Sequence, residues 1–241
     1  MGESALRSKL LKRFGVFCRT DLAPLGFRRK GFRAQRDLAD LRQVVSLQLD
    51  HRLGAERYTA NIFWHLLVTP HREASDWGSM DGHWRIGTLA DGRDRWFTTF
   101  QEATFESQFA EVAQLVVDLG LPLLQRYDSV RAIVDAVDAG DLTRIQAFGP
   151  DKGWQRSNLA YCAAYLGDHE RALRELTELF EQPTAEARYH GKDLLEQLQR
   201  GERPRIQPAI PPRPKRKPRA PRPAASPRRV IVRKKVGGEE P

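Results

Sequence analysis

The sequence predicts an α+β fold followed by a disordered basic tail, and three observations predict it. Apolar residues recur at helical spacing near the N-terminus and again from Glu102 onward. Strand-like alternation is confined to the stretch between them, and grouped strands argue against a Rossmann-like α/β arrangement. Charge is also partitioned. The 241 residues carry 40 Lys and Arg against 31 Asp and Glu, a formal net of +9. Residues 200–241 alone hold 14 basic and 3 acidic residues, a net of +11, which leaves residues 1–199 at −2.

From the N-terminus, Glu3 to Leu22 reads as a helix, because Leu6, Leu10, Phe14, Phe17 and Cys18 form one apolar stripe. Pro24 ends it and Gly26 opens a new element. An antiparallel sheet of about five strands follows. Gly31–Leu38 is the first strand, with Ala39-Asp40 as its turn. In Leu41–Asp50, Val45, Leu47 and Leu49 alternate with Ser46, Gln48 and Asp50. In Tyr58–Val68, Tyr58, Ala60, Ile62, Trp64, Leu66 and Val68 share one face. Thr59, Asn61, Phe63, His65 and Leu67 share the other, so both faces of this strand are expected to be covered in part. Trp84–Leu89 and Arg95–Phe100 are the last two strands, with Asp91-Gly92 as the turn between them.

From Glu102 a helical stripe of Phe105, Phe109, Val112, Leu115, Val116 and Leu119 runs until Gly120 ends it. Pro122 suits the first turn of the next helix. Asp128 or Ser129 caps a helix carrying Val130, Ile133, Val134 and Val137, which Gly140 stops. Residues 157–166, 168–181 and 184–199 are expected to form three short helices. The resulting organisation is an α+β domain over 1–128, a helical extension over 129–200 and the tail over 201–241.

Several functional classes are set aside. The longest apolar run, Ile62 to Val68, is seven residues interrupted by His65; a membrane helix needs about 20. The opening MGESALRSKLLKRF has no signal-peptide core, and Leu6 breaks the myristoylation pattern. Cys18 and Cys162 make no C-x-x-C and are read as buried free thiols, so a cytoplasmic protein is expected. No G-x-S-x-G elbow, G-x-G-x-x-G fingerprint or P-loop occurs. No cofactor and no metal are expected. His65, His71 and His83 are the only local histidine cluster, but they lack the i, i+4 spacing of a zinc helix. No catalytic residue is assigned. The enzymatic alternative is a small site in the loops around residues 70–95 built from His71, Asp81, His83 and Asp94.

The stretch Gly26 to Asp128 resembles a bacterial family known as domain of unknown function 4304. The resemblance rests on pieces in order: Gly26-Phe27-Arg28-Arg29-Lys30-Gly31, Val44-Val45-Ser46-Leu47-Gln48, Tyr58-Thr59-Ala60-Asn61-Ile62, Arg85-Ile86-Gly87, Asp94-Arg95-Trp96-Phe97, Leu121-Pro122 and Tyr127-Asp128. Phe32 follows Gly31 directly, where the family pattern has one or two intervening residues. The resemblance implies a small α+β fold and brings no activity. A second segment, Ser157 to Glu181, resembles one tetratricopeptide hairpin, with Gly167-Asp168 as its hinge. Arrays of this type need about three repeats to stand alone. The hairpin is therefore either a helical pair packed on the sheet domain or a peptide-binding groove.

Two site readings remain. Arg28, Arg29 and Lys30 either hold an anionic ligand or solvate an exposed strand edge. Trp77 either marks a partner site or staples its own loop. The tail carries Arg213, Lys215, Arg216, Lys217, Arg219 and Arg222 in one block, and Arg228, Arg229, Arg233, Lys234 and Lys235 in a second. Ten of the 15 prolines lie in residues 201–241, which favours an extended ribbon. Only 10 of those 41 residues are apolar, too few to offset the ordering entropy. Such a ribbon suits a DNA or RNA backbone, bound non-specifically, or an acidic partner. The functional expectation is a non-enzymatic interaction module, with an immunity- or chaperone-like partner of one specific protein as a further alternative. No membrane partner is expected.

Overall fold

The computed structural model describes residues 3–50, 57–70, 81–98, 102–181 and 189–208. His51, His71, Trp77 and every basic residue of the two tail blocks therefore lie outside the described residues. The architecture is the expected one: an N-terminal helix, an antiparallel sheet, then helices. Among the described residues, no helix is long and apolar enough to cross a membrane.

Helix α1 (Glu3–Phe17) continues into one wider turn, Cys18–Leu22, and a tight turn, Ala23–Leu25. Pro24 is tolerated there because it sits at the start of the tight turn, where no helical N–H is required. Gly26 then adopts φ 88°, a left-handed value that releases the chain into the sheet. Leu10, Phe14, Phe17, Cys18 and Leu22 are buried, as their spacing demands.

The sheet runs β1 (Arg28–Lys30), β2 (Arg33–Asp37), β3 (Leu41–Asp50), β4 (Arg57–Leu66) and β5 (Gly82–Arg85), all antiparallel neighbours. A two-residue strand, β6 (Phe97–Thr98), pairs with Arg57 and Tyr58 of β4, beside the stretch that β5 occupies. The single strand expected over Gly31–Leu38 is instead the second arm of a hairpin. Gly31-Phe32 makes its turn, with Gly31 at φ 63°. The basic triplet is thereby drawn into the sheet as its edge strand.

Two further expectations are corrected. Trp84–Leu89 is not one strand: pairing stops at Arg85, and helix α2 (Ile86–Asp91) follows. Gly87 lies so close to Arg95 that an added Cβ would sit 2.3 Å from the Arg95 Cβ, an approach an ordinary strand residue would block. Gly92, at φ 70°, donates its N–H to the Thr88 carbonyl. Asp91-Gly92 therefore caps a helix rather than joining two strands. Of Arg95–Phe100, only Phe97 and Thr98 pair; residues 99–100 lie outside the described set.

Helix α3 (Glu102–Leu115) passes through a wide turn, Val116–Gly120, directly into α4 (Leu121–Arg126). Gly120 does not end the helix; it has φ −70°. Its missing side chain matters for packing, since a Cβ there would sit 2.8 Å from the Ile62 Cδ1. Helix α5 (Val130–Asp138) starts at Ser129, whose Oγ accepts a hydrogen bond from the Ala132 N–H at 3.2 Å. Helix α6 (Arg144–Phe148) was not expected. Its signal is nevertheless in the sequence as a Thr-x-x-Gln capping box, Thr143 to Gln146.

Helices α7 (Lys152–Leu166) and α8 (His169–Phe180) form the hairpin read at Gly167-Asp168. Gly167 closes α7 at φ 88°, and Asp168 accepts the Arg171 N–H to open α8. Ala160, Ala163, Ala164 and Ala172 let the two helices approach. Helix α9 (Lys192–Gln199) adds Leu194, Leu195 and Leu198 to that cluster. The main core runs from Leu10 and Phe14 through Ile62 and Trp64 to Ile133, Phe148, Leu159 and Cys162. The helices after residue 128 thus share one core with the sheet. Cys18 and Cys162 are buried free thiols, and burial pushes the Cys18 thiol up to about 12.

Candidate functional site

Strand alternation gives the sheet two unlike faces. One carries Ala34, Val45, Ile62 and Trp84 and receives the helices. The other carries the cross-strand row Arg33, Ser46, Asn61 and Arg85, and beside it the row Gln35, Val44, Phe63 and His83. Ser46, Thr59 and Asn61 on this polar face have no exposed surface. The Asn61 Nδ2 donates to the Gln48 Oε1 at 3.2 Å, and the Asn61 Oδ1 faces the His83 Nε2 at 3.1 Å. The hydroxyls of Ser46 and Thr59 have no hydrogen-bond partner among the described residues. Polar alternation in β3 and β4 was legible as a second face, and the partial cover expected over that face of β4 is complete at Thr59 and Asn61.

At one end of this face Trp96 lies between two guanidiniums, with Arg57 4.7 Å and Arg85 5.0 Å from its ring centre. Each arginine is also ion-paired, Arg57 with Asp50 and Arg85 with Asp94. The Trp96 indole N–H donates to Asp94 at 3.1 Å.

Of the enzymatic alternative, Asp81, His83 and Asp94 are described and each has its own hydrogen-bond partners, while His71 lies outside the described residues. His83 bonds Asn61, and Asp94 belongs to Arg85 and Trp96. Asp81 accepts the Leu66 N–H at 2.7 Å and the Asn158 side-chain amide at 3.0 Å, which ties α7 to the end of β4. His65 packs edge-on against Phe63, with ring centres 5.3 Å apart. Among the described residues no three His, Cys, Asp or Glu side chains are grouped to hold a metal ion.

Burial, and secondarily the Arg85 charge, pull His83 below the usual histidine value of 6.5, while Asp94 opposes them. His83 is thus neutral in the folded protein at pH 7, and unfolding in mild acid takes up a proton. Stability contributed by the neutral ring is present above pH 6.5 and is lost as pH falls towards the lowered folded value. Urea melts from about pH 7.5 to 5 should show that loss in the wild type and a smaller one in His83→Gln. Equal slopes would mean His83 does not carry it.

The basic triplet sits on β1, with all three side chains exposed. Arg29 faces the helices: its Nη2 donates to the Leu11 carbonyl at 3.0 Å and its Nε to the Gly31 carbonyl at 2.9 Å. Its guanidinium crosses α1 at Gly15, where a Cβ would lie 2.3 Å from the Arg29 Nη1. Arg28 and Lys30 project to the other side of the strand. Between α1 and the hairpin lies an open groove of about 400 Å³, lined by Gly15, Cys18, Arg19, Ala23, Phe27, Arg29 and Gly31. Arg28 and Lys30 thus keep the sheet edge charged, and Arg29 lines the groove.

A second, larger groove lies on the helical extension. Its four arginines face four acids, with Arg144 and Arg156 both on the buried Glu175 and Arg171 on Asp138. It is self-neutralised and presents no net charge to a partner.

No protein-family model, curated protein or solved structure matches this chain.

Proposed function

We propose that the protein is a non-enzymatic interaction module that holds nucleic acid through phosphate contacts, without reading sequence, by its basic C-terminal segment. The observation that carries this reading is the segregation of charge: a net of +11 in residues 200–241 against −2 in the other 199. Within the folded part, several arginines are committed to acids, as in Arg42–Asp37, Arg57–Asp50, Arg126–Asp141 and Arg171–Asp138. Such pairs leave little charge for counterion release, whereas the tail blocks have almost no acids among them. After Phe180 the only aromatic residue is Tyr189, so base stacking does not contribute from the tail. Two buried, unpaired thiols fit the reducing cytoplasm proposed as its location. The likeness of Gly26–Asp128 to the family of unknown function supports an α+β scaffold for the module and nothing about its ligand.

The test is salt-dependent binding of the full chain to a labelled mixed-sequence duplex. The comparison is a full-length variant with Arg213, Lys215, Arg216, Lys217, Arg219 and Arg222 changed to Gln. Six neutralised phosphate contacts correspond to about −5 in the slope of log K against log salt. The variant is expected to lose that much slope. Unchanged affinity and slope would refute the tail reading, and stronger competition by polyglutamate than by duplex would make the partner an acidic protein.

A further inference from the structure

Strand β1 ends the sheet: β2 lies on its inner side, and no strand lies on its outer side among the described residues. The ladder fixes which main-chain groups face that open edge. The Leu47 N–H donates to the Phe32 carbonyl at 2.9 Å, and Ala34, two residues on, stands opposite Val45. Bonded and non-bonded pairs alternate along an antiparallel ladder, so Phe32 and Ala34 turn their main-chain groups towards β3. Arg33 and Gln35 then turn theirs towards β1, which makes Lys30–Arg33 and Arg28–Gln35 the bonded pairs of the hairpin. The N–H and C=O of Arg29 are left pointing to the open edge. Side chains divide by the same alternation. Arg28 and Lys30 stand on the polar face, exposed, and neither makes an ion pair or side-chain hydrogen bond among the described residues. Arg29 stands on the helix side, where the groove runs along Phe27, Arg29 and Gly31 and is walled by Cys18, Arg19 and Ala23. The surrounding chain is cationic: residues 7–36 hold ten Lys and Arg and one acid, Asp21.

We propose that the open edge of β1 is a protein-interaction site that takes an extended acidic segment of a partner protein as an added antiparallel strand. The partner residue opposite Arg29 exchanges two main-chain hydrogen bonds with it, as in other strand additions to a sheet edge. Cross-strand neighbours share a face, so the partner residues opposite Arg28 and Lys30 lie beside those two free cations, and acidic side chains suit both places. The residue between them is directed to the helix side, towards the groove walled by Cys18, Ala23 and Phe27, and an apolar side chain suits it. The pattern recognised is therefore acidic, apolar, acidic. Charge complementarity selects this occupant over the two nearest rivals. A second copy of this chain, paired about Arg29, would set Arg28 against Lys30 and Arg29 against itself, and like charges directly opposite are destabilising. The cations that bar self-pairing thus admit an acidic strand. A nucleic-acid backbone supplies acceptors for Arg28, Lys30 and the Arg29 N–H, but its phosphates have no donor for the Arg29 carbonyl. This site does not depend on the reading of the tail.

The experiment gives the full chain two labelled peptides of equal length and composition. In one, glutamate and valine alternate; in the other, the glutamates are grouped at one end. The basic tail attracts both alike, whereas the edge distinguishes them. The alternating peptide should bind more tightly and should slow amide hydrogen exchange at Arg29, and the grouped one should leave that exchange unchanged. The full-length variant R28E/K30E should bind the alternating glutamate peptide about tenfold more weakly, since two favourable cross-strand pairs become unfavourable. It should also take up an alternating lysine and valine peptide that the wild type does not bind, a gain that an unfolded variant would not show. Arg29 is left intact because it bonds main-chain carbonyls of α1 and the hairpin turn. Both substituted positions are exposed, so the variant should melt within about 2 °C of wild type. Equal binding of the two glutamate peptides with unchanged exchange at Arg29 would place the attraction in the tail and overturn the edge site. Wild-type affinity of R28E/K30E for the alternating glutamate peptide would overturn it as well. Slowed exchange at Arg29 with a duplex but not with the peptide would make the edge a nucleic-acid contact and overturn the assignment of a protein strand.

Discussion

Trp64→Ala is expected to destabilise the protein by about 3–5 kcal/mol, the range for removing a fully buried large aromatic side chain. Trp64 has no exposed surface and sits in the central strand β4. Its ring centre is 4.7 Å from that of Trp84 on β5 and 5.8 Å from that of Tyr127, just beyond α4. Its indole N–H donates to the Ala147 carbonyl in α6 at 3.2 Å. One side chain thus joins the sheet to the helices on either side of residue 128. The packing leaves no slack, because a Cβ added at Gly82 would lie 2.2 Å from the indole. Alanine would open a cavity, strip Trp84 of its neighbour and leave the Ala147 carbonyl unsatisfied. Urea unfolding should show a lower midpoint with an unchanged m-value. A loss below about 1 kcal/mol would mean that the surrounding side chains collapse into the space and that Trp64 is not the junction.

Gln43→Leu is the second large effect, at about 2–4 kcal/mol, although it replaces a polar core residue with an apolar one of similar size. Gln43 has no exposed surface and is bonded at both ends of its amide. Its Nε2 donates to the Leu124 and Tyr127 carbonyls, which end α4, and its Oε1 accepts from the Arg36 Nε at 2.7 Å. Leucine would strand two buried carbonyls and a guanidinium N–H, each of which costs about 1–3 kcal/mol if left unmade. Gln43→Glu is the companion variant, since it keeps the acceptor for Arg36 but removes the donor to the two carbonyls. If Gln43→Leu melts within about 0.5 kcal/mol of wild type, these bonds do not hold the helix end to the sheet.

Much of the fold was legible because it depends on neighbours in the chain. The α1 stripe, the alternation of β3 and β4, the Ser129 cap and the Gly167-Asp168 hinge are set by periods of 3.6 or 2 residues and by capping chemistry. The Thr143 capping box was equally legible, though it was not used. Misassigned elements depended instead on distant partners. Ile86–Asp91 has strand-like composition, yet β4 offers β5 only Asn61 to Trp64 as partners, and β6 takes the positions at Arg57 and Tyr58. Gly120 has the composition of a helix stop, yet its place against Ile62 requires a residue without a side chain inside a continuing helix.

The candidate sites divide in the same way. The sequence by itself determined the order of helix, sheet and helices, because local periodicity is written residue by residue. It also determined where the net charge lies, because charge is a property of composition. Only the tertiary structure decided that β1 is an exposed edge, that Asp81 accepts from Leu66 and Asn158, and that the cover over the second face of β4 is complete at Thr59 and Asn61. Only it could bring the Arg29 side chain of a strand to the Leu11 carbonyl of a helix. The physical reason is that a site is made of long-range contacts, and these follow from how whole faces pack rather than from the residues adjacent in the chain.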